Sequence, residues 1–203
     1  YAFGYFCRAG MLSSRNDAPS HASRPFDAKR DGGVLGEGAG CVLVEDLEHA
    51  RRRGAHVYAE LMGYGSSGEG FGPDPEERVP GGMGSALNRA LLAAHWDQKR
   101  IDYIGTHGVS DPALDKWETA AIRNVFAEAA DRIPASSIKG ATGIPQCAAG
   151  ILQLIATLKA MDCGILPPTI NYEYEDPACT LDYVPNRPRR NEIRHAIVLT
   201  HGF

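Results

Sequence analysis

The segment that most restricts how this chain can fold is residues 147–161, which is apolar almost all round and polar only at Gln153, Thr157 and Lys159. A helix of that kind needs cover on most of its sides. It therefore calls for packed layers on both flanks rather than one surface contact. The turn before it, Thr142-Gly143-Ile144-Pro145, ends in a proline suited to a first helical turn. Around it, short strand-like and helix-like segments alternate. Residues 41–44 read as a buried strand, residues 57–64 as a second strand, and residues 101–105 and 196–199 as two more. A basic helical turn over 47–53 is stopped by Gly54. Met83, Leu87, Ala90, Leu91 and Ala94 mark one apolar helix face, and Leu114, Glu118, Ile122, Val125, Phe126 and Ala129 mark another. Residues 65–82, rich in glycine, proline and acid, read as an exposed loop. The pattern predicts an α/β layered fold.

With 203 residues, 43% of them apolar, the chain can bury one sizeable core. A net charge of -4 provides no basic surface for nucleic acid, and no run of ~18 apolar residues predicts a membrane span. The five cysteines, Cys7, Cys41, Cys147, Cys163 and Cys179, form no CxxC pair and have no histidine-rich neighbours. They read as small core hydrophobes in a reducing, cytoplasmic protein, and neither a metal nor a cofactor is expected. The first residue is not methionine, and the last follow a core strand directly. Both ends read as cuts in a longer protein.

Four segments carry a more specific signal. They are Arg24-Pro25-Phe26-Asp27 with Arg30-Asp31-Gly32-Gly33-Val34-Leu35-Gly36-Glu37-Gly38-Ala39-Gly40; Thr106-His107-Gly108 with Asp115, Lys116, Glu118 and Thr119; Ser136-Ser137-Ile138-Lys139 leading to Thr142-Gly143; and Leu166-Pro167-Pro168-Thr169-Ile170-Asn171 with Asp182, Val184 and Pro185-Asn186. In this order and spacing the chain resembles the β-ketoacyl-acyl-carrier-protein synthases, the ketosynthase branch of the thiolase-like superfamily. The resemblance implies the C-terminal half of a layered αβαβα fold, normally dimeric. Residues 1–40 would be the loop-rich end of the N-terminal half, and residues 41–203 the C-terminal domain, truncated in its last strand and loop. The nucleophilic cysteine would lie in the missing N-terminal half. The implied partners are an acyl carrier protein, a ketosynthase subunit and that missing half.

The resemblance also assigns residues. His107 matches the first of two histidines whose N–H groups stabilise the negative charge that develops on a thioester oxygen. Lys139 matches a lysine that sets the histidines' geometry and protonation; a solvated surface lysine is the alternative. Asp115 and Glu118, three apart on one helical face, match a pair that orders the active-site loop, with a plain acidic helix start as the alternative. Phe203 matches the phenylalanine that gates the acyl pocket.

The departures from the family are concentrated at the catalytic loops. Ile144 stands where the second histidine belongs, and isoleucine neither donates a hydrogen bond nor takes up a proton. Gly33 replaces an aromatic residue, Val109 removes a hydroxyl, Asp111 adds a charge, and Leu199 and His201 replace asparagine and phenylalanine. Two readings follow. One is a chain-length-factor-like subunit of type II polyketide or fatty-acid synthesis, pairing with an active ketosynthase and shaping its acyl pocket. The other is a divergent β-ketoacyl synthase that still transfers acyl groups through an upstream cysteine. A carrier-protein docking module is a third use of the fold.

Overall fold

The computed structural model describes residues 2–68 and 81–202. Phe203 and most of the 65–82 loop lie outside the described residues. The central element is β1 (Tyr103–Gly105), flanked by β2 (Ala135–Ser136) and β5 (Ala196–Val198) in the order β2-β1-β5, all parallel. Register pairs Ile104 with Ala135 and Ile197, and Gly105 with Ser136 and Val198. Strand pleating sends successive side chains of β1 to opposite faces. Ile104 enters one core with Leu87 and Leu91 of α3 (Gly82–Ala94) and with Ile122 and Val125 of α4 (Leu114–Phe126). Tyr103 enters a second core with Ala160 of α6 (Ala149–Cys163). Helices thus cover both faces of a parallel sheet, the α/β arrangement expected from the sequence.

The remaining elements are smaller. Helix α1 (Ala2–Arg8) begins the part of the chain expected to be loop-rich. Helix α2 (Leu47–Arg52) is capped by the Asp46 carboxylate, which accepts the His49 amide, and Gly54 follows at φ +68°. The short α5 (Lys139–Thr142) follows β2, and β3 (Ile165–Leu166) pairs antiparallel with β4 (Arg189–Arg190).

Three expectations are corrected. Residues 41–44 and 57–64 run without regular strand structure, and Leu43, Val44, Leu61 and Tyr64 are 73–79% exposed. Their apolar content is that of a strand, but no ladder partner is present among the described residues. Helix α6 is buried only along Ala149, Gln153, Thr157 and Ala160, while Ile151, Leu152, Leu154 and Ile155 are half-buried. The polar residues face the sheet because Gly105 lets the helix approach closely: a Cβ there would lie 2.7 Å from Thr157 Oγ1 and 2.9 Å from Gln153 Nε2. Finally, four of the five cysteines are exposed, and only Cys179 is a core residue.

Candidate functional site

β1 leads directly into the turn carrying His107, at the edge of the sheet where parallel strands deliver their C-terminal ends. Glu118 and Asp115, one turn apart on α4, both point back at this turn. The Glu118 carboxylate accepts the amides of His107 (2.6 Å) and Gly108 (2.7 Å). Asp115 accepts those of Val109 (3.0 Å) and Phe26 (2.8 Å). From the other side the Lys139 ammonium donates to the His107 carbonyl oxygen. A carboxylate on its N–H and an ammonium on its C=O therefore hold one peptide unit. All four side chains are at most 2% exposed. Gly108 is required here: at φ +33° any Cβ would stand 2.6 Å from the Phe26 ring and 2.7 Å from Ser137 Cβ.

The Arg24–Arg30 segment braces the same turn. Arg30 lies 3.6 Å from Asp115 and 2.7 Å from Asp176, and it donates to the carbonyls of Asp27, Asp111 and Pro112. Asp27 pairs with Arg24 at 2.9 Å and accepts the amides of Lys29, Glu173 and Tyr174. Buried charges at this density persist only where each is paired and hydrogen-bonded, and here each is. Phe26 is held at φ 64°, with its ring stacked on Tyr183 at 4.0 Å. Ser110, Gln146 and Asn171 also take positive φ. Such conformations cost about 1–3 kcal/mol each and gather where the surroundings enforce them.

The imidazole of His107 is held well below its usual protonation range, first by burial and then by the electrostatic effect of Lys139 and His201 beside it. Its Nδ1 accepts the backbone N–H of His201 at 3.2 Å, which leaves the proton of the neutral ring on Nε2. The ring is thus set as a neutral Nε2–H donor. Burial pushes Glu118 up and Lys139 down, and the opposite charge of each partner opposes the shift. Burial also raises Asp115 to about 6 against the pull of its two amide donors and Arg30.

The His107 shift makes a prediction. Below the unfolded-state value of 6.5, the unfolded imidazole binds a proton that the buried ring refuses, so acid favours unfolding. Stability from this residue should fall by up to about 1.4 kcal/mol per pH unit as pH drops below 6.5. Asp115 and Glu118 work in the opposite direction, losing stability as pH rises from their unfolded values of 3.8 and 4.5 to about 6 and about 7. Both keep their amide donors when the imidazole at 107 is removed. Urea unfolding of wild type and His107→Asn between pH 7.5 and about 5 should therefore give a difference curve carrying the His107 slope alone. Parallel curves would contradict it.

Ile144 is 6% exposed, and its backbone bridges the 34–36 segment, accepting from Gly36 (3.0 Å) and donating to Val34 (2.7 Å). Its side chain occupies the space above Gly33, where a Cβ would lie 2.3 Å from Ile144 Cδ1. Ile144 thus fills the space that any side chain at position 33 would need. Ile144, Val109, Leu35 and Gln146 line one small apolar pocket. Asp111, read from sequence as an added charge, turns its carboxylate onto the amides of Ala113 and Leu114 at the start of α4, both at 2.8 Å.

The structure brings His107, Lys139, Asp115 and Glu118 into one cluster and places Ile144 on the loop lining the adjoining pocket. It adds one residue that sequence reasoning noted only as a departure. The His201 ring lies 5.8 Å from that of His107, centroid to centroid, at 56°. Its place follows from strand order: β5 is the parallel neighbour of β1, so the residues following the two strands emerge side by side.

Comparison with known proteins agrees with this architecture. Residues 58–173 match the C-terminal domain of the β-ketoacyl synthases, and residues 1–50 match their N-terminal domain. The 3-oxoacyl-[acyl-carrier-protein] synthase 2 of Coxiella burnetii is 43% identical over 98% of this chain and 48% of its own length. The tetracenomycin polyketide synthase ketoacyl synthase alpha subunit of Streptomyces glaucescens is 42% identical over 94% of this chain and 45% of its own. Among solved structures, a type II polyketide synthase acyl-carrier protein in complex with its ketosynthase bound to the hexaketide superimposes with a TM-score of 0.94. It is 37% identical and covers 99% of this chain and 50% of that one. The ishigamide ketosynthase/chain length factor gives a TM-score of 0.85 at 38% identity over 95% of this chain and 45% of that one. The chain spans about half the length of the curated relatives it matches. With both domain descriptions matched in order and a ketosynthase fold underlying them, the chain belongs to the β-ketoacyl synthase family.

Proposed function

We propose that this chain is part of a chain-length-factor-like subunit of type II polyketide or fatty-acid assembly, which pairs with an active ketosynthase and shapes the pocket for the growing acyl chain. The observation that carries this reading is Ile144. The position that should hold a second imidazole instead holds a buried hydrocarbon wedged over Gly33. The expected partners are an acyl carrier protein, a ketosynthase subunit and the remainder of the longer polypeptide, in the cytoplasm. Phe203 is the proposed gate of the acyl pocket. The test uses the full-length protein, alone and with a ketosynthase partner, supplied with malonyl- and acyl-carrier protein. Mass spectrometry and carbon dioxide release should show no condensation by the protein alone and a changed product length in the pair. Condensation by the isolated protein would overturn this reading.

A second reading, a divergent β-ketoacyl synthase working through a cysteine elsewhere in the polypeptide, is favoured by a different observation. The grip of Glu118 and Lys139 on the His107 turn is complete, and His107 is set as a neutral Nε2–H donor. In this reading His107 stabilises the developing oxyanion, while Lys139, Asp115 and Glu118 position it.

A further inference from the structure

The chain crosses the edge of the sheet twice at the same place. Gly105 and Val198 are register partners on adjacent parallel strands, and the Leu199 amide extends the pairing by donating to the Gly105 carbonyl at 2.8 Å. Two residues beyond Gly105 comes His107, and three beyond Val198 comes His201. The main chain of His201 binds His107 Nδ1, and the two rings lie 5.8 Å apart at 56°. The Nδ1 side of His201 is shielded from solvent. Against the family pattern, residue 144 has lost an imidazole and residue 201 has gained one in place of a phenylalanine.

We propose that His201 supplies the second imidazole of this site, so that the donor pair is rebuilt as His107 and His201, with the second member coming from the loop after β5 rather than from the loop after α5. The substrate class is a malonyl thioester. As the bond between its carboxylate and the neighbouring carbon breaks, carbon dioxide leaves and the electron pair moves onto the thioester oxygen. The N–H groups of His107 and His201 hold that oxygen. When the enolate carbon attacks the acyl thioester, the carbon–carbon bond forms, the acyl carbon–sulfur bond breaks and the thiolate leaves with that electron pair, so the step consumes no oxidant and needs no added proton. This inference rests on the second reading above, that of a condensing synthase, and not on the chain-length-factor-like one.

The experiment uses the full-length protein with its partner subunit, as wild type and His201→Phe. Phenylalanine is the family's residue at this position, and the contact to His107 Nδ1 comes from the main chain, so this variant should fold; a thermal melt checks it, and His201→Ala carries the same readouts if it does not. Carbon dioxide release from malonyl-carrier protein should fall about 10²–10³-fold. Release within threefold of wild type overturns the proposal. If wild type itself releases none, the condensing reading fails, and binding of an acyl-pantetheine amide, whose carbonyl mimics the thioester's, then decides the pair. Affinity weakened about tenfold in His201→Phe supports it, and unchanged affinity overturns it.

Discussion

Replacing Glu118 by glutamine is expected to destabilise the full-length protein by about 3–5 kcal/mol, the range for removing one member of a buried charge arrangement. An amide at this position offers one acceptor oxygen to two amides, those of His107 and Gly108, and turns its own N–H₂ toward the other. The Lys139 ammonium, 2% exposed, then loses the larger of its two opposing charges and keeps only Asp115. Lys139→Met should be comparably costly because it strands Glu118. The double variant should cost clearly less than the sum, with a coupling of about 1–3 kcal/mol from chemical denaturation. Additive losses would mean that the carboxylate and the ammonium hold the turn independently.

The second large effect lies away from the site. Leu61→Asp in the full-length protein should cost at least about 2 kcal/mol or drive aggregation, although Leu61 is 78% exposed in the 203 residues. A substitution on a solvent-facing surface normally stays within about 0.5 kcal/mol. Leu43, Val44, Leu61 and Tyr64 are exposed and Ile151, Leu152, Leu154 and Ile155 of α6 are only half-buried, and exposed apolar side chains that adjoin mark surfaces meant for cover. The relatives carry as much polypeptide again as is present here, and that remainder is the proposed cover. Urea midpoints that match wild type would show that this surface faces water in the whole protein.

How much of this was legible in the sequence depended on whether a residue's partners were local. The i, i+3 spacing of Asp115 and Glu118 put both carboxylates on one face of α4, and the adjoining turn was close enough to be their target. The stop at Gly54 and the apolar faces of α3 and α4 were equally local. The strands expected from the apolar run at 41–44 and the alternation at 57–64 failed because such patterns report which side chains would be buried, not whether a neighbouring strand is present. Helix α6 misled because its composition is nearly all apolar, yet Gly105, more than forty residues earlier, selects the polar Gln153 and Thr157 for the closest contact. His201 escaped for the same reason: its place beside His107 follows from strand order, which periodicity does not encode. The packing of Ile144 over Gly33 joins two loops 111 positions apart, a contact that no local pattern encodes.

The Arg24–Arg30 brace also bears on when the site comes into being. Its ligands lie far along the chain: Ser110 and Asp115 are 86 and 89 positions from the residues they bind, and Glu173 and Asp176 are 149 and 146 positions from theirs. His107 in turn waits for the amide of His201, 94 positions on and the last of these partners to be made. Closing such spans precedes any reward from the contacts they allow, which slows folding. A ribosome adding about 5–20 residues per second would expose Arg24, Asp27 and Arg30 for several seconds before their partners emerge. During that interval Arg30 is without its carboxylate partners Asp115 and Asp176, and the contacts that hold the His107 turn cannot be completed until synthesis has passed β5.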